Sequence, residues 1–267
     1  MFITDKENKL TKEYLDKGYI IRSVVDNEAL KWITNQHVRL IREILPNTPV
    51  ANERDLLNNI HKYVPIKDLN DFRLKIIQKI NSIQEFREMY FSIARDYLEV
   101  LVGNELAMQL RINLSIQFPG DDSSLLPLHS DIWSGDSPFE IVVWLPLVDC
   151  FGSKSMYILP PNKYEILIRQ FKNSKNNDSE KIYQVIKDDV NWLDVRYGEV
   201  LLFDQSLPHG NRINNEIETR YSMNCRFKSV FSPYGDKKIG EFFEPITLRA
   251  VSKKGMSYQL PDLYEES

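Results

Sequence analysis

From Arg111 onward polar and apolar residues alternate, and this change of period constrains the fold more than any other feature of the chain. In RINLSIQF (111–118) the set Arg111, Asn113, Ser115 and Gln117 alternates with Ile112, Leu114, Ile116 and Phe118. Successive side chains of a strand point to opposite faces, so the pattern predicts a half-buried antiparallel strand. Strand-like runs recur at 139–148 (FEIVVWLPLV), 154–160 (KSMYILP), 199–204 (EVLLFD) and 220–230 (RYSMNCRFKSV), separated by Gly, Pro, Asn and Asp clusters. Upstream the period is helical. Leu30, Ile33, His37, Ile41 and Ile44 form one stripe, and a second run from Phe72 to Val102 sets Leu74, Ile77, Ile80 and Ile83 on another. Helices followed by a series of strands predict a barrel or two-sheet jelly roll braced by helices. The polar, aperiodic segment FKNSKNNDSE (171–180) is expected to be a surface loop.

Composition narrows the function classes. At 267 residues the chain suits one large domain. A formal net charge of −4 without a Lys/Arg block leaves no electrostatic footprint for nucleic acid. The N-terminus MFITDKENKL is charged where a signal peptide is apolar, and no run approaches the length of a membrane span, so no membrane association and a cytoplasmic address are expected. Cys150 and Cys225 lack disulfide or metal-site spacing and are expected to be reduced core thiols.

The chain has four histidines, and one of them begins the triplet His129-Ser130-Asp131 within LPLHSDIWSGDSPFEIVVWLPLVDC. Residues i and i+2 of an extended segment share a side, so His129 and Asp131 can reach one ion. A second imidazole from another strand would complete the two-histidine, one-carboxylate facial triad of non-haem iron, and His209 in GEVLLFDQSLPHGN is the candidate. His37 sits on an apolar helical stripe and reads as a core histidine; His61 reads as a surface or capping residue. Beyond His209, the strand RYSMNCRFK places Arg220, Ser222, Asn224 and Arg226 on one face. A buried arginine with a hydroxyl two residues on suits a carboxylate-bearing co-substrate, although the same alternation suits a solvated sheet face.

His129-Ser130-Asp131, His209 and Arg220, in this order and spacing, resemble the iron(II)- and 2-oxoglutarate-dependent oxygenases, in particular the phytanoyl-CoA dioxygenase-like branch. The stretch LPLHSDIWSGDSPFEIVVWLPLVDC followed by KSMYILP is similar to the oxygenases of sporadic bacterial carbohydrate gene clusters, and the likeness runs from about Arg111 to Arg226. The resemblance implies a mainly β fold with flanking helices, a cupin-like double-stranded β-helix. With length and periodicity, a single oxygenase domain over 1–267 is expected, with helical support in 1–105, the jelly-roll core in 106–235 and a C-terminal extension in 236–267. The resemblance further implies that His129, Asp131 and His209 hold Fe(II), that Arg220 and Ser222 bind 2-oxoglutarate, and that dioxygen is the second co-substrate. Hydroxylation of a small-molecule carbohydrate or nucleotide-activated sugar would follow, and the carboxylate of Asp131 favours hydroxylation over halogenation.

Other residues carry weaker expectations. Asn113 and Gln117 would reach the co-substrate if the apolar face of their strand packs on the helices, and an exposed polar face is the alternative. Trp133, Lys154 and Arg226 are the candidates for substrate contact, each with an ordinary structural alternative. A serine hydrolase is disfavoured, since the G-x-S-x-G elbow is absent. A non-catalytic metal- or sugar-binding jelly roll, and an epimerase or oxidase using the same cofactors, remain open.

Overall fold

In the computed structural model, residues 2–48, 52–164, 167–168 and 178–260 are described. The N-terminal third is helical. Helix α1 (Asp5–Lys17) opens on a capping box between Thr4 and Glu7 and closes at Gly18, whose φ of 78° only glycine adopts readily. Helix α2 (Asn27–Ile44) is capped by Asp26, which accepts from the backbone of Glu28 and Ala29, and it buries Leu30, Ile33, His37 and Ile41 as its periodicity requires.

The second helical run is three helices, α4 (Leu69–Ser82), α5 (Phe86–Ser92) and α6 (Arg95–Leu101), preceded by the short α3 (Glu53–Asn58). Its buried face also differs from the expected stripe. Positions 74, 77, 80 and 83 step by three, and each such step falls about 60° short of a full turn, so they spiral around the helix. The residues that face the core of α4 are Leu69, Phe72, Ile76 and Ile80, while Leu74 is exposed.

The strands form two antiparallel sheets. The larger contains β1 (Tyr19–Ser23), β7 (Glu199–Asp204), β4 (Glu140–Pro146), β9 (Arg220–Ser229), β2 (Leu106–Gln109) and β10 (Phe243–Pro245) in that order, with β3 (Asn113–Gln117) also on β9. The long β9 organises the sheet. It pairs with β4 along one edge, and along the other with β3 (Ser115 opposite Ser222) and then β2 (Met108 opposite Phe227). The smaller sheet is β6 (Asn191–Trp192), β5 (Tyr157–Ile158) and β8 (His209–Gly210), and an isolated bridge adds His129 to its edge at His209. This is a jelly roll with flanking helices, and one apolar cluster joins Ile33, Ile41, Ile76 and Ile80 of the helices to Val143, Leu201 and Phe227 of the large sheet.

Several elements depart from the sequence pattern. β1 and β10 extend the large sheet beyond 106–235 at both ends; YIIRS and FEP are too short to show alternation, and all of LAMQ in β2 is buried. The run 154–160 yields only the two-residue β5, because Gly152–Lys154 forms a 3₁₀ turn. Of the expected loop 171–180, residues 171–177 lie outside those described, and Ser179 opens helix α7 (Ser179–Ile186) under an Asp178 cap. After β10 comes helix α8 (Ala250–Met256).

His37 is a fully buried core residue, with Nδ1 2.9 Å from the Tyr221 hydroxyl and Nε2 3.2 Å from Met223 Sδ. His61 is half-buried and reaches the Thr219 hydroxyl at 2.8 Å. Both cysteines are free and buried. No helix among the described residues is long and apolar enough to cross a membrane.

Candidate metal centre

Two strands that pair backbone to backbone bring the imidazoles together. The amide of His129 donates to the His209 carbonyl at 3.0 Å, and that of His209 to the His129 carbonyl at 2.8 Å, which sets the two rings 4.4 Å apart. Ser130, between His129 and Asp131, points the other way and donates its hydroxyl to the Ser206 carbonyl at 2.9 Å, while the amide of Asp131 donates to the Gln205 carbonyl at 3.1 Å. The triplet is thereby held extended, and Asp131 returns to the side of His129 before the 3₁₀ turn Asp131–Ser134 begins.

Among the described residues, His129, Asp131 and His209 are the group of side chains able to hold an ion, with ligand atoms all within 4.8 Å of one another. The tautomers suit that task. Nδ1–H of His129 donates to the Pro127 carbonyl and Nδ1–H of His209 to the Leu207 carbonyl, each at 2.8 Å, which leaves both Nε2 lone pairs free. Burial pushes the pKa of His209 down to about 4, keeping it a neutral ligand at physiological pH. Burial also opposes ionisation of Asp131, but the fields of His209, Arg226 and His129 outweigh it and hold the carboxyl below its usual range. Two neutral imidazoles and one carboxylate on one side of an ion match the donor set that divalent iron accepts with positions to spare.

Arg226 shapes the carboxylate ligand. Its Nη2 donates to Asp131 Oδ2 at 2.8 Å, while Oδ1 faces His129 Nε2 at 3.5 Å. The arginine is anchored in turn, since Nε donates to Gln205 Oε1 at 2.8 Å and lies 3.6 Å from Asp136 Oδ1. Gln205 donates to Glu140 Oε2 at 2.8 Å, so a buried polar network backs the ligand. With one oxygen occupied by a guanidinium, Asp131 offers the other to a metal.

The triad opens into a cavity of about 520 Å³ between the sheets, lined also by Asn113, Asn224, Arg220 and Arg73. Arg220 is its most unusual member. The side chain is 3 % exposed, and no carboxylate among the described residues pairs with it. Nη1 donates to the Ser155 carbonyl at 3.2 Å and Nη2 to Ser115 Oγ at 2.9 Å, but Nε has no partner. The Ser155 and Ser222 hydroxyls are also buried without partners, but neither residue lines the cavity. Burial lowers the Arg220 pKa to about 10, so the group stays cationic at neutral pH. A buried cation with an unsatisfied N–H at the wall of a cavity is the unfinished half of a charge-assisted hydrogen-bond site.

The remaining sequence candidates fall in different places. Asn113 lines the cavity, its Nδ2 donating to Asn224 Oδ1 at 3.0 Å. Gln117 lies outside the lining: its Nε2 donates to the Arg212 carbonyl at 2.7 Å and its Oε1 accepts from Asn211, so it ties down the loop after His209 instead of meeting a co-substrate. Lys154 is corrected from a substrate contact to a structural group. It is fully buried, with Nζ donating to Glu218 at 2.8 Å and Asn58 at 2.7 Å. Trp133 is exposed on the 3₁₀ turn and outside the lining. Sequence reading missed Ser115, Ser155 and Arg73; Ser115 could have been found, since it shares the face of Asn113 and lies opposite Ser222.

No family model matches the sequence, and no curated protein shows a significant match. Similar folds occur among solved structures. A non-heme monooxygenase, ThoJ in complex with nickel, is 12 % identical over 91 % of this chain and 85 % of that one, with a TM-score of 0.57. EvdMO1 is 13 % identical over 84 % of this chain and 50 % of that one, at 0.55. HygX from Streptomyces hygroscopicus, with nickel and 2-oxoglutarate bound, is 14 % identical over 87 % and 89 %, at 0.51. At such identities the likeness establishes the jelly-roll fold with flanking helices.

Proposed function

We propose that the chain is an iron(II)- and 2-oxoglutarate-dependent oxygenase that hydroxylates a small molecule. The observation that carries this reading is the pairing, in one cavity, of the His129–Asp131–His209 ligand set with the uncompensated Arg220. The solved structures of like fold support it, one being named a non-heme monooxygenase and another holding nickel and 2-oxoglutarate.

When bound, iron with 2-oxoglutarate and dioxygen supplies the oxidising power for attack on an unactivated C–H bond. The protein's share is placement. His129, Asp131 and His209 would occupy one side of the ion and leave the other to co-substrates. The Arg220 guanidinium, whose Nε lacks a partner, would take the distal carboxylate of 2-oxoglutarate with the Ser115 hydroxyl beside it in the lining; Ser222, expected from the sequence to share that role, lies outside the lining. Phe203, with its ring 5.0 Å from that of His209, together with Val142, Trp144 and Met156, lines the chamber with apolar surface that limits water. The cavity lies within the range of about 300–1,000 Å³ that holds drug-sized ligands, leaving room for a substrate beside a five-carbon diacid.

In its finer form the reading places the whole of 1–267 in one oxygenase domain of the phytanoyl-CoA dioxygenase-like branch, acting in the cytoplasm on a carbohydrate or nucleotide-activated sugar. The sequence stretch 126–160 supports the carbohydrate assignment. The test is slow, iron-dependent release of succinate from 2-oxoglutarate in the absence of substrate. The oxygenase is expected to show it and His129→Ala to lose it; a folded, iron-loaded protein that forms no succinate would overturn the reading.

A further inference from the structure

The described lining of the cavity includes three arginines and one carboxylate, and two of the arginines have assignments. Arg226 is paired with Asp131 and Asp136. Arg220 stands ready for the distal carboxylate of the co-substrate. Arg73 is left over. It lies on α4 one turn before Ile77, which lines the same cavity, and positions i and i+4 share a helix face. Its Nη2 donates to Asn70 Oδ1 at 2.7 Å, within its own helix, while its Nε is buried without a partner. No carboxylate among the described residues pairs with it. The helix itself is fixed, since Asn81 accepts from the Ile112 amide at 2.8 Å and donates to the Ile112 carbonyl at 3.0 Å, clamping α4 to the strand that follows.

A charge count of the cavity, taken with a divalent metal and 2-oxoglutarate in place, leaves Arg73 without an assigned counter-ion. The two imidazoles are neutral ligands, and Asp131 and Arg226 offset one another. The two negative charges of 2-oxoglutarate would cancel two of the three positive charges carried by a divalent metal and Arg220, so the loaded cavity would stay cationic even before Arg73 is counted. Arg73 then remains as a guanidinium held against a concave, partly apolar wall with its hydrogen-bonding fork incomplete. Such a group is stabilised by a planar or tetrahedral oxyanion that accepts two of its N–H bonds. We infer that Arg73 docks an oxyanion borne by the substrate, so that the substrate class is anionic: a phosphate ester, a diphosphate or a carboxylic acid. The inference rests on the oxygenase reading for its account of which anion occupies Arg220. It narrows the carbohydrates considered there to phosphorylated, nucleotide-activated or acidic sugars and sets neutral glycosides aside.

The test uses phenyl phosphate, benzoate and the uncharged benzyl alcohol as probes. Each is titrated into the metal-free protein and into protein loaded with Mn(II) and 2-oxoglutarate, with calorimetry for affinity and paramagnetic relaxation of probe nuclei for proximity to the ion. At least one anion is expected to bind wild type more tightly than benzyl alcohol, with enhanced relaxation in the loaded form, and to lose roughly tenfold or more in Arg73→Gln. Arg73→Lys should recover part of the loss, and 2-oxoglutarate affinity should be the same in all three proteins. The phosphate and carboxylate arms identify which oxyanion is preferred. Equal anion binding by wild type and Arg73→Gln, or anions bound no better than the alcohol, would overturn the inference. Failure of Mn(II) and 2-oxoglutarate to bind would count against the oxygenase reading, while metal-free titrations repeated on an Arg220→Met background, which lacks the other anion site of the cavity, would still decide the role of Arg73.

Discussion

Replacing Arg220 with methionine should stabilise the ligand-free protein while removing its affinity for 2-oxoglutarate. The guanidinium is buried with no carboxylate partner among the described residues, and burial depresses its pKa from the ordinary arginine value to about 10. At about 1.4 kcal/mol per unit this corresponds to roughly 3 kcal/mol of unfavourable desolvation. The sign follows from linkage. The folded-state value lies below the unfolded one, so the unfolded chain holds the proton more tightly, and the full penalty applies at neutral pH and fades only as pH rises above about 10. Methionine is unbranched and adaptable, but it gives up the bonds to Ser115 Oγ and the Ser155 carbonyl, at about 1 kcal/mol each. The balance is a gain of about 1 kcal/mol, or roughly 2–4 °C in Tm for a chain of this size. The same substitution should weaken 2-oxoglutarate binding by about 30-fold to 1,000-fold, since it removes one partner of a buried charge pair. Urea and thermal unfolding of metal-stripped protein give the first quantity, and titration of metal-loaded protein gives the second. A variant that unfolds more readily than wild type by more than about 1 kcal/mol, or one that still binds 2-oxoglutarate normally, would refute the reasoning.

Two further perturbations read other parts of the structure. Burial pushes the pKa of His37 from 6.5 down to about 3, so the unfolded state takes up protons that the folded state refuses and stability falls as pH drops from 6.5 toward 3. The share from His37 is about 2 kcal/mol at pH 5. His37→Gln, able to keep a bond to the Tyr221 hydroxyl, should flatten the difference in urea stability between pH 5 and pH 7.5, leaving the part due to His209; an unchanged slope would contradict this. Arg226→Met frees Asp131 Oδ2, which should weaken Co(II) or Zn(II) binding by about 10-fold to 100-fold in direct titration, with Arg226→Lys intermediate. Unaltered metal affinity in the methionine variant would remove Arg226 from the support of the ligand.

The legible parts of the molecule were those where spacing and geometry coincide. The i, i+2 relation of an extended chain placed His129 beside Asp131, and the alternation along 220–226 put Arg220, Asn224 and Arg226 on one face that the structure turns into the cavity. His37 lay on its apolar stripe and is a core residue. The rest depended on long-range pairing. β1 and β10 join the large sheet through partners far along the chain, and nothing local in YIIRS or FEP announces them. Lys154 shows the same limit, because its partners Asn58 and Glu218 come from a helix end and from the approach to β9. Gln117 shares the face of Asn113 and Ser115 yet turns to the backbone of Arg212, since period gives a side and not a target. Arg73 was hidden for a related reason: its stripe was mis-set by steps of three, and the cavity-facing pair Arg73 and Ile77 sits at the flank of the true buried face.

The most direct test of the central claim needs no substrate. Fe(II) and then 2-oxoglutarate are added to the protein without oxygen, and the visible charge-transfer absorption of the chelate is recorded for wild type, Asp131→Ala and Arg220→Met. The account expects a band in wild type, none or little with Asp131→Ala, and one with Arg220→Met that develops only at much higher 2-oxoglutarate. Folded wild-type protein that binds iron yet gives no band at saturating 2-oxoglutarate would contradict it.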